Sequence, residues 1–306
     1  MPTDNSEFDY LPAQAQAADV PVPAATRLTL RLEDGRTLSA LRFGDGVPEV
    51  VLLHGAGLNA HTWDTTILQL QAPALAIDLA GHGDSSWRAD ADYTPRLLAA
   101  DVAEALPQWV GAPAVLVGQS LGGLTAAALA ATHPELVREV IVVDITPGID
   151  ATGGPAQLRE FFRVVDFASR DELVDRAMEF GLGGSREDTA RGVFFNSRVR
   201  EDGRVEWKHH FAHLAAQVFA APDAAVSAPA SAPVLNATGW DDLAGVTAPL
   251  TLVRATHGYV SASDVEEFRA RVPHADVVEV DATHNVQETA PVALADLIRT
   301  RLTTGM

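Results

Sequence analysis

Apolar and polar residues alternate along residues 26–31 and again along 37–43, on either side of Glu33-Asp34-Gly35-Arg36, which predicts a hairpin turning at the Asp-Gly pair. Beyond it, alternation gives way to short unbroken apolar runs that end in glycine-rich segments, at residues 49–55, 74–83, 114–120 and 139–148. Helical stretches separate them near 62–70, 95–110 and 121–132. Apolar strands alternating with helices predict an α/β fold, a parallel sheet covered on both faces. Around Pro147 the strand pattern stops, and it returns at residues 249–255. The intervening residues read as helices over 155–168, 171–181, 187–198 and 209–219, and eight of the eleven phenylalanines fall among them. A helical cap over 147–238 is therefore expected, on a core formed by 27–146 and 239–306. Ala-Pro-rich residues 220–233 read as the linker back to the core, which closes with strand, helix, strand and helix over 249–255, 263–272, 275–282 and 290–302. Residues 1–26, rich in Ala, Pro and Asp, read as a flexible tail that buries little.

Composition narrows the function. The 306 residues suit one α/β domain with a large insertion as well as two domains. No cysteine is present, which excludes disulfide scaffolds, Cys-ligated zinc, iron–sulfur clusters and thiol nucleophiles. With 22 basic against 41 acidic side chains the formal charge is −19, a poor match for nucleic acid or an acidic membrane. The first residues carry Asp4, Glu7 and Asp9 and lack the basic start and apolar run of a secretory signal, so a cytoplasmic location is expected. The most apolar long stretch, 112–131, is broken by Gly118, Gln119, Ser120, Gly122 and Gly123, and no membrane span is expected.

Three short segments carry chemistry. Gly118-Gln119-Ser120-Leu121-Gly122 follows an apolar strand and opens an Ala-rich helix, the pattern of a nucleophile elbow. Glycines two positions either side let a sharp strand-to-helix turn form without Cβ clashes, lifting the serine oxygen clear at a helix N-terminus that favours negative charge. His54-Gly55-Ala56-Gly57 ends an earlier strand, and its turn can offer the Ala56 N–H to an oxyanion beside that of Leu121. His54 itself reads as structural. Late in the chain, Asp281-Ala282-Thr283-His284-Asn285 sets His284 at the C-terminal end of a strand, the edge where α/β sheets bind ligands, as the candidate general base. His209, His210 and His213 share a helix face but lack a convincing carboxylate, so no metal is assigned.

In chain order, HGAG, DLAGHGDSSW, GQSLGG, VVDITPG and ATHN resemble the α/β-hydrolase family over about residues 27–306, in its capped branch of esterases, lactonases, haloperoxidase-like enzymes and C–C hydrolases. The resemblance implies an eight-stranded, mostly parallel sheet, a cap after the sixth strand, and a Ser-acid-His triad in that order. In many relatives the acid follows the seventh strand, where this chain has VRATHGYVSAS with Gly258 at the matching position. Some branches place it after the sixth strand, which offers Asp144, the preferred acid here, next to a neighbouring strand tip; Asp264, at an apparent helix start, is the weaker substitute.

A serine in the elbow excludes epoxide hydrolases and haloalkane dehalogenases, which need a carboxylate there. The tyrosines, Tyr10, Tyr93 and Tyr259, all lie outside the cap, so it has none to polarise an epoxide. The expected substrate is a small carboxylic ester or lactone, apolar or aromatic, facing Phe161, Phe162 and Trp207; Arg159 and Arg163 read more as a solvated face than as a carboxylate clamp. Thioester or C–C hydrolysis by the same triad, or a slow-turnover small-molecule receptor, are the alternatives. No cofactor is implied, and a monomer or homodimer is expected.

Overall fold

Gly35 adopts φ +86 and its N–H reaches the Leu32 carbonyl at 2.9 Å, so β1 (Ala25–Arg31) folds back on β2 (Thr37–Phe43) with Arg31 opposite Thr37. A computed structural model describes residues 6–111, 113–148, 160–181, 184–220 and 239–303. The core continues with β3 (Val50–Leu53), β4 (Ala74–Asp78), β5 (Ala114–Gln119) and β6 (Val137–Val143). The segment expected to form the cap contributes β7 (Asp166–Phe167), β8 (Ser197–Val199) and β9 (Val205–Trp207), and the large sheet resumes with β10 (Leu250–His257) and β11 (Asp276–Thr283).

Eight strands form one sheet in the order β1-β2-β4-β3-β5-β6-β10-β11. The hairpin is antiparallel and β2 meets β4 antiparallel; every later pair is parallel. Every residue of β3, β4 and β5 is buried, which is why their sequences run apolar without alternation. Helices α1 (Leu11–Ala18), α2 (Asp64–Leu70), α3 (Pro95–Trp109) and α4 (Leu121–Thr132) precede the cap helices α5 (Arg170–Glu179), α6 (Arg186–Asn196) and α7 (His210–Ala220). Then come α8 (Gly239–Gly245), α9 (Ala262–Arg271), α10 (Val286–Thr289) and α11 (Pro291–Thr303). Helices α3, α4, α8 and α9 pack on one face of the sheet through Leu98, Leu124, Leu243 and Phe268; α1, α2 and α11 pack on the other through Leu11, Ile67 and Leu294. Among the described residues, no helix is long and apolar enough to cross a membrane.

Two expectations change. The cap is not purely helical: β7, β9 and β8 form a small antiparallel sheet, so the helix expected over 155–168 ends before Asp166 and the one expected over 187–198 ends at Asn196. Strands of two or three residues hold too few positions for alternation to show. Residues 149–159 and 221–238, including most of the expected linker, lie outside the described residues.

The expected N-terminal tail contains α1, begun by Pro12 in its first turn, with Leu11 and Ala15 one turn apart and buried against Ile67 and Leu68 of α2. Burying a leucine this way contributes roughly 1.5–3 kcal/mol. Just before it, the Glu7 carboxylate accepts from Arg27 Nε at 2.9 Å and faces His61 Nε2 at 3.2 Å. Tyr10 packs edge-on against Phe194 and Phe195 of α6, with centroids 5.4 and 5.5 Å apart. The His61 ring stacks on Phe195 at 3.8 Å and its Nδ1 meets Asp64 at 3.0 Å. The N-terminal segment therefore clasps core and cap together.

Burial opposes a charge on His61, but the Asp64 carboxylate and the hydrogen bond that His61 gives to Glu7 outweigh it and raise its pKa to about 9. A histidine with a raised folded-state pKa stabilises fully below its ordinary value near 6.5, and that contribution disappears as pH rises through about 9. Thermal unfolding followed from pH 6 to 10 is expected to show a loss of stability across this window that is absent in His61→Gln.

Candidate active site

Ser120 sits where β5 becomes α4, with φ 52 and ψ −120, a conformation that costs a non-glycine residue about 1–3 kcal/mol. The surrounding backbone enforces it. A Cβ on Gly118 would overlap the Gly122 carbonyl, and one on Gly122 would overlap the carbonyl of Leu53, so both glycines of the motif are sterically required. The Ser120 carbonyl accepts from Gly123 and Leu124, starting α4, while Leu121 takes the first helical position, where a backbone N–H has no intrahelical partner.

The His54–Gly57 turn lies against this serine. A Cβ on Gly55 would stand 3.2 Å from Ser120 Cβ and overlap the Gln119 amide oxygen, so the turn approaches only because residue 55 is glycine. Ala56 follows on the exposed side. His54 is buried; its Nδ1–H donates to the Gly55 carbonyl at 2.8 Å and its Nε2 accepts from the Leu79 N–H at 3.0 Å. Those two bonds fix one neutral tautomer, and burial pulls the pKa down to about 4, so His54 holds the turn without taking a proton near neutrality.

Asp144 directly follows β6 and is fully buried, with φ 48. Its Oδ1 accepts from the Ala255 N–H at 3.0 Å; its Oδ2 accepts from the Tyr259 N–H and from His284 Nδ1, each at 2.8 Å. Because a carboxylate between such donors acts as acceptor, Nδ1 carries the imidazole proton and Nε2 keeps its lone pair. The Ser120 N–H reaches the Val143 carbonyl at 3.0 Å, next to Asp144, and Gln119 Nε2 donates to the His284 carbonyl at 3.2 Å. Ser120, Asp144 and His284 thus follow β5, β6 and β11 directly, at one edge of the sheet. The other carboxylate considered, Asp264, is used differently: it accepts from the Ser261 N–H at 2.7 Å in a capping box that starts α9.

Gly258 explains itself here. A Cβ at that position would fall on the Asp144 carboxylate, so a carboxylate placed here from the end of β6 requires residue 258 to carry no side chain. Gln119 and Tyr259 were not among the expected site residues. Tyr259 stacks on His284, with centroids 3.9 Å apart at 21°.

Of the expected substrate contacts, Phe162 is half-buried and its ring edge would lie 3.4 Å from a Cβ on Gly57 of the His54–Gly57 turn. Phe161 and Trp207 instead centre the cap's own core, 5.3 Å apart, with Trp207 Nε1 donating to the Val164 carbonyl. Arg159 lies outside the described residues; Arg163 is exposed, 3.5 Å from Glu160. The three neighbouring histidines are separately engaged: His209 Nδ1 accepts from the Ala212 N–H, His210 Nδ1 meets the Tyr93 hydroxyl and His213 Nε2 the Trp207 carbonyl. Among the described residues, no cluster of three His, Cys, Asp or Glu could hold a metal.

Residues 50–297 match the model of the alpha/beta hydrolase family. The chain belongs to that family. It is 35% identical to the esterase Rv0045c of Mycobacterium tuberculosis over 309 residues, 97% of this chain and 96% of the relative. A crystal structure of that esterase superposes with a TM-score of 0.78 at 34% identity, covering 99% of both chains. The mouse sn-1-specific diacylglycerol lipase ABHD11 is 27% identical over 82% of this chain and 80% of its own. A pimeloyl-[acyl-carrier protein] methyl ester esterase of Aeromonas salmonicida is 42% identical over 36% of this chain and 42% of its own.

The crowding at Gly258 makes a direct prediction. Gly258→Ala is expected to lower unfolding stability by about 1–3 kcal/mol as the methyl displaces the Asp144 carboxylate. Gly192→Ala, in α6 with open space around it, is expected to raise stability by about 0.5–1 kcal/mol. Urea unfolding of the two variants checks both.

Proposed function

We propose that this chain is a serine hydrolase that cleaves a carboxylic ester or lactone of a small apolar or aromatic substrate through an acyl-enzyme. The observation carrying the reading is the 2.8 Å bond from His284 Nδ1 to buried Asp144, at the sheet edge where Ser120 stands on its strained elbow. Likeness to an esterase along nearly the full length of both chains supports the ester over the other bonds this fold can cleave.

Ser120 Oγ attacks the acyl carbon while its proton passes to His284 Nε2. Asp144 holds the imidazole in the tautomer that leaves Nε2 basic and stabilises the imidazolium formed. The carbonyl oxygen becomes an oxyanion facing the N–H groups of Ala56 and Leu121. As the tetrahedral species collapses, the alkoxide leaves with the proton from His284. Water then attacks the acyl-enzyme, giving its proton to the same nitrogen, and the acid departs as Ser120 recovers its hydrogen. Phe162, beside the oxyanion turn, is the aromatic side chain that best supports an apolar acyl or alcohol group.

Multiple turnover of p-nitrophenyl esters is expected, abolished by Ser120→Ala. A single slow turnover, with ligand-dependent melting, would instead identify a receptor. Asp144→Asn is expected to lower kcat by up to about 10⁴-fold. Asp264→Asn is expected to leave kcat within about twofold and to cost about 1 kcal/mol through its helix cap. Steady-state rates and melts of the two variants decide the acid; a reversed ranking would reassign it.

A further inference from the structure

The end of β10 and the loop beyond it serve the Asp144–His284 pair in several ways. Ala255 and Tyr259 give their N–H groups to the two carboxylate oxygens. Gly258 leaves room for that carboxylate and its N–H returns to the Ala255 carbonyl at 3.1 Å. The turn is pinned from below, since Arg254 Nε donates to the Val260 carbonyl at 2.9 Å and the Val260 side chain is buried. From this fixed backbone the Tyr259 side chain turns outward, 42% of the residue exposed, and lays its ring along the His284 imidazole at 3.9 Å and 21°.

A large aromatic left two-fifths open to water would ordinarily be free to rotate. This one is anchored on both sides of its Cα, and its face is spent on a single neighbour. Parallel contact at that spacing restricts the imidazole to rotation within its own plane, the plane that contains the bond to Asp144. The Asp144 end of that bond is wholly buried and the imidazole largely so, and the ring offers a π face to the imidazolium that the reaction forms.

We infer that Tyr259 is a positioning residue: one residue holds the acid with its backbone N–H and the base with its ring, fixing His284 in the orientation that proton transfer needs. The work lies in the ring face rather than in the phenol hydroxyl. This inference rests on the serine-hydrolase reading for its kinetic consequences, but the stacking itself is testable without any substrate.

The test uses the full chain and the variants Tyr259→Phe, Tyr259→Leu and Tyr259→Ala. In proton NMR, the His284 Nδ1–H held between the imidazole and Asp144 is expected to give a low-field resonance in the parent and in Tyr259→Phe, and to be lost to water exchange in Tyr259→Ala. With p-nitrophenyl acetate, Tyr259→Ala and Tyr259→Leu are expected to lose about tenfold in kcat with KM within about twofold, and Tyr259→Phe to match the parent. Tyr259→Leu retains apolar bulk, so it separates the planar face from simple filling of space should the alanine variant unfold. A resonance and kcat both unchanged in Tyr259→Ala, full kcat in Tyr259→Leu, or a phenylalanine variant as impaired as alanine would each overturn the assignment. A parent protein that turns over no ester would sink the hydrolase reading alone, because the resonance would still report on the stack.

Discussion

A carboxylate withdrawn wholly from water is tolerable only if its oxygens are bonded by donors at good geometry, since the desolvation cost amounts to several kcal/mol. Asp144 meets that condition with three donors, the N–H groups of Ala255 and Tyr259 and the Nδ1–H of His284. They come from the end of β10, the loop beyond it, and the loop after β11. The pairing of Val143 with Val253, and of Ala255 with Val280, is therefore tied to the site as well as to the sheet. A slip of one residue would leave the charge buried with a donor missing. The same requirement selects the tautomer of His284, so sheet register and proton chemistry have one cause.

How much of this is legible in the sequence depends on the distance over which each feature acts. The elbow is legible because its signature is local: two glycines flank a serine within five residues, although only the Gly118 clash, with the Gly122 carbonyl, is itself local, and the Gly122 clash is with the distant Leu53 carbonyl. The core strands are legible because burial on both faces leaves unbroken apolar runs. The carboxylate that bonds His284 is less so. Asp144, ahead of Thr146-Pro147, looks like any turn cap, and family resemblance rather than residue pattern brings it forward. Tyr259 leaves no local mark, because its partner is a ring 25 positions away. Nor does α1, whose two buried side chains are too few to form an amphipathic stripe.

The cap illustrates a related point about aromatic composition. Its phenylalanines divide by location rather than by type. Phe161, Phe167 and Phe180 build an interior around Trp207, whereas Phe194 and Phe195 turn to the core and meet Tyr10 and His61. Polar contacts reinforce that second group: Asn59 Nδ2 donates to Asn196 at 2.7 Å, Lys208 pairs with Asp84 at 2.9 Å, and Trp87 stacks on His210 at 4.4 Å. Among the described residues, the segment between β6 and β10 thus has a small apolar interior of its own and meets the rest of the chain through bonds of fixed geometry.

The space at residue 258 also sets a rule for altering this site. Strands β6 and β10 are neighbours in the sheet, and the room between their ends holds the Asp144 carboxylate and no second side chain. Adding even a methyl at 258 crowds Asp144, whereas removing Asp144 leaves His284 Nδ1 without its bonded acceptor. Any redesign must therefore change both positions in one step, because neither change alone leaves the space filled and the imidazole bonded.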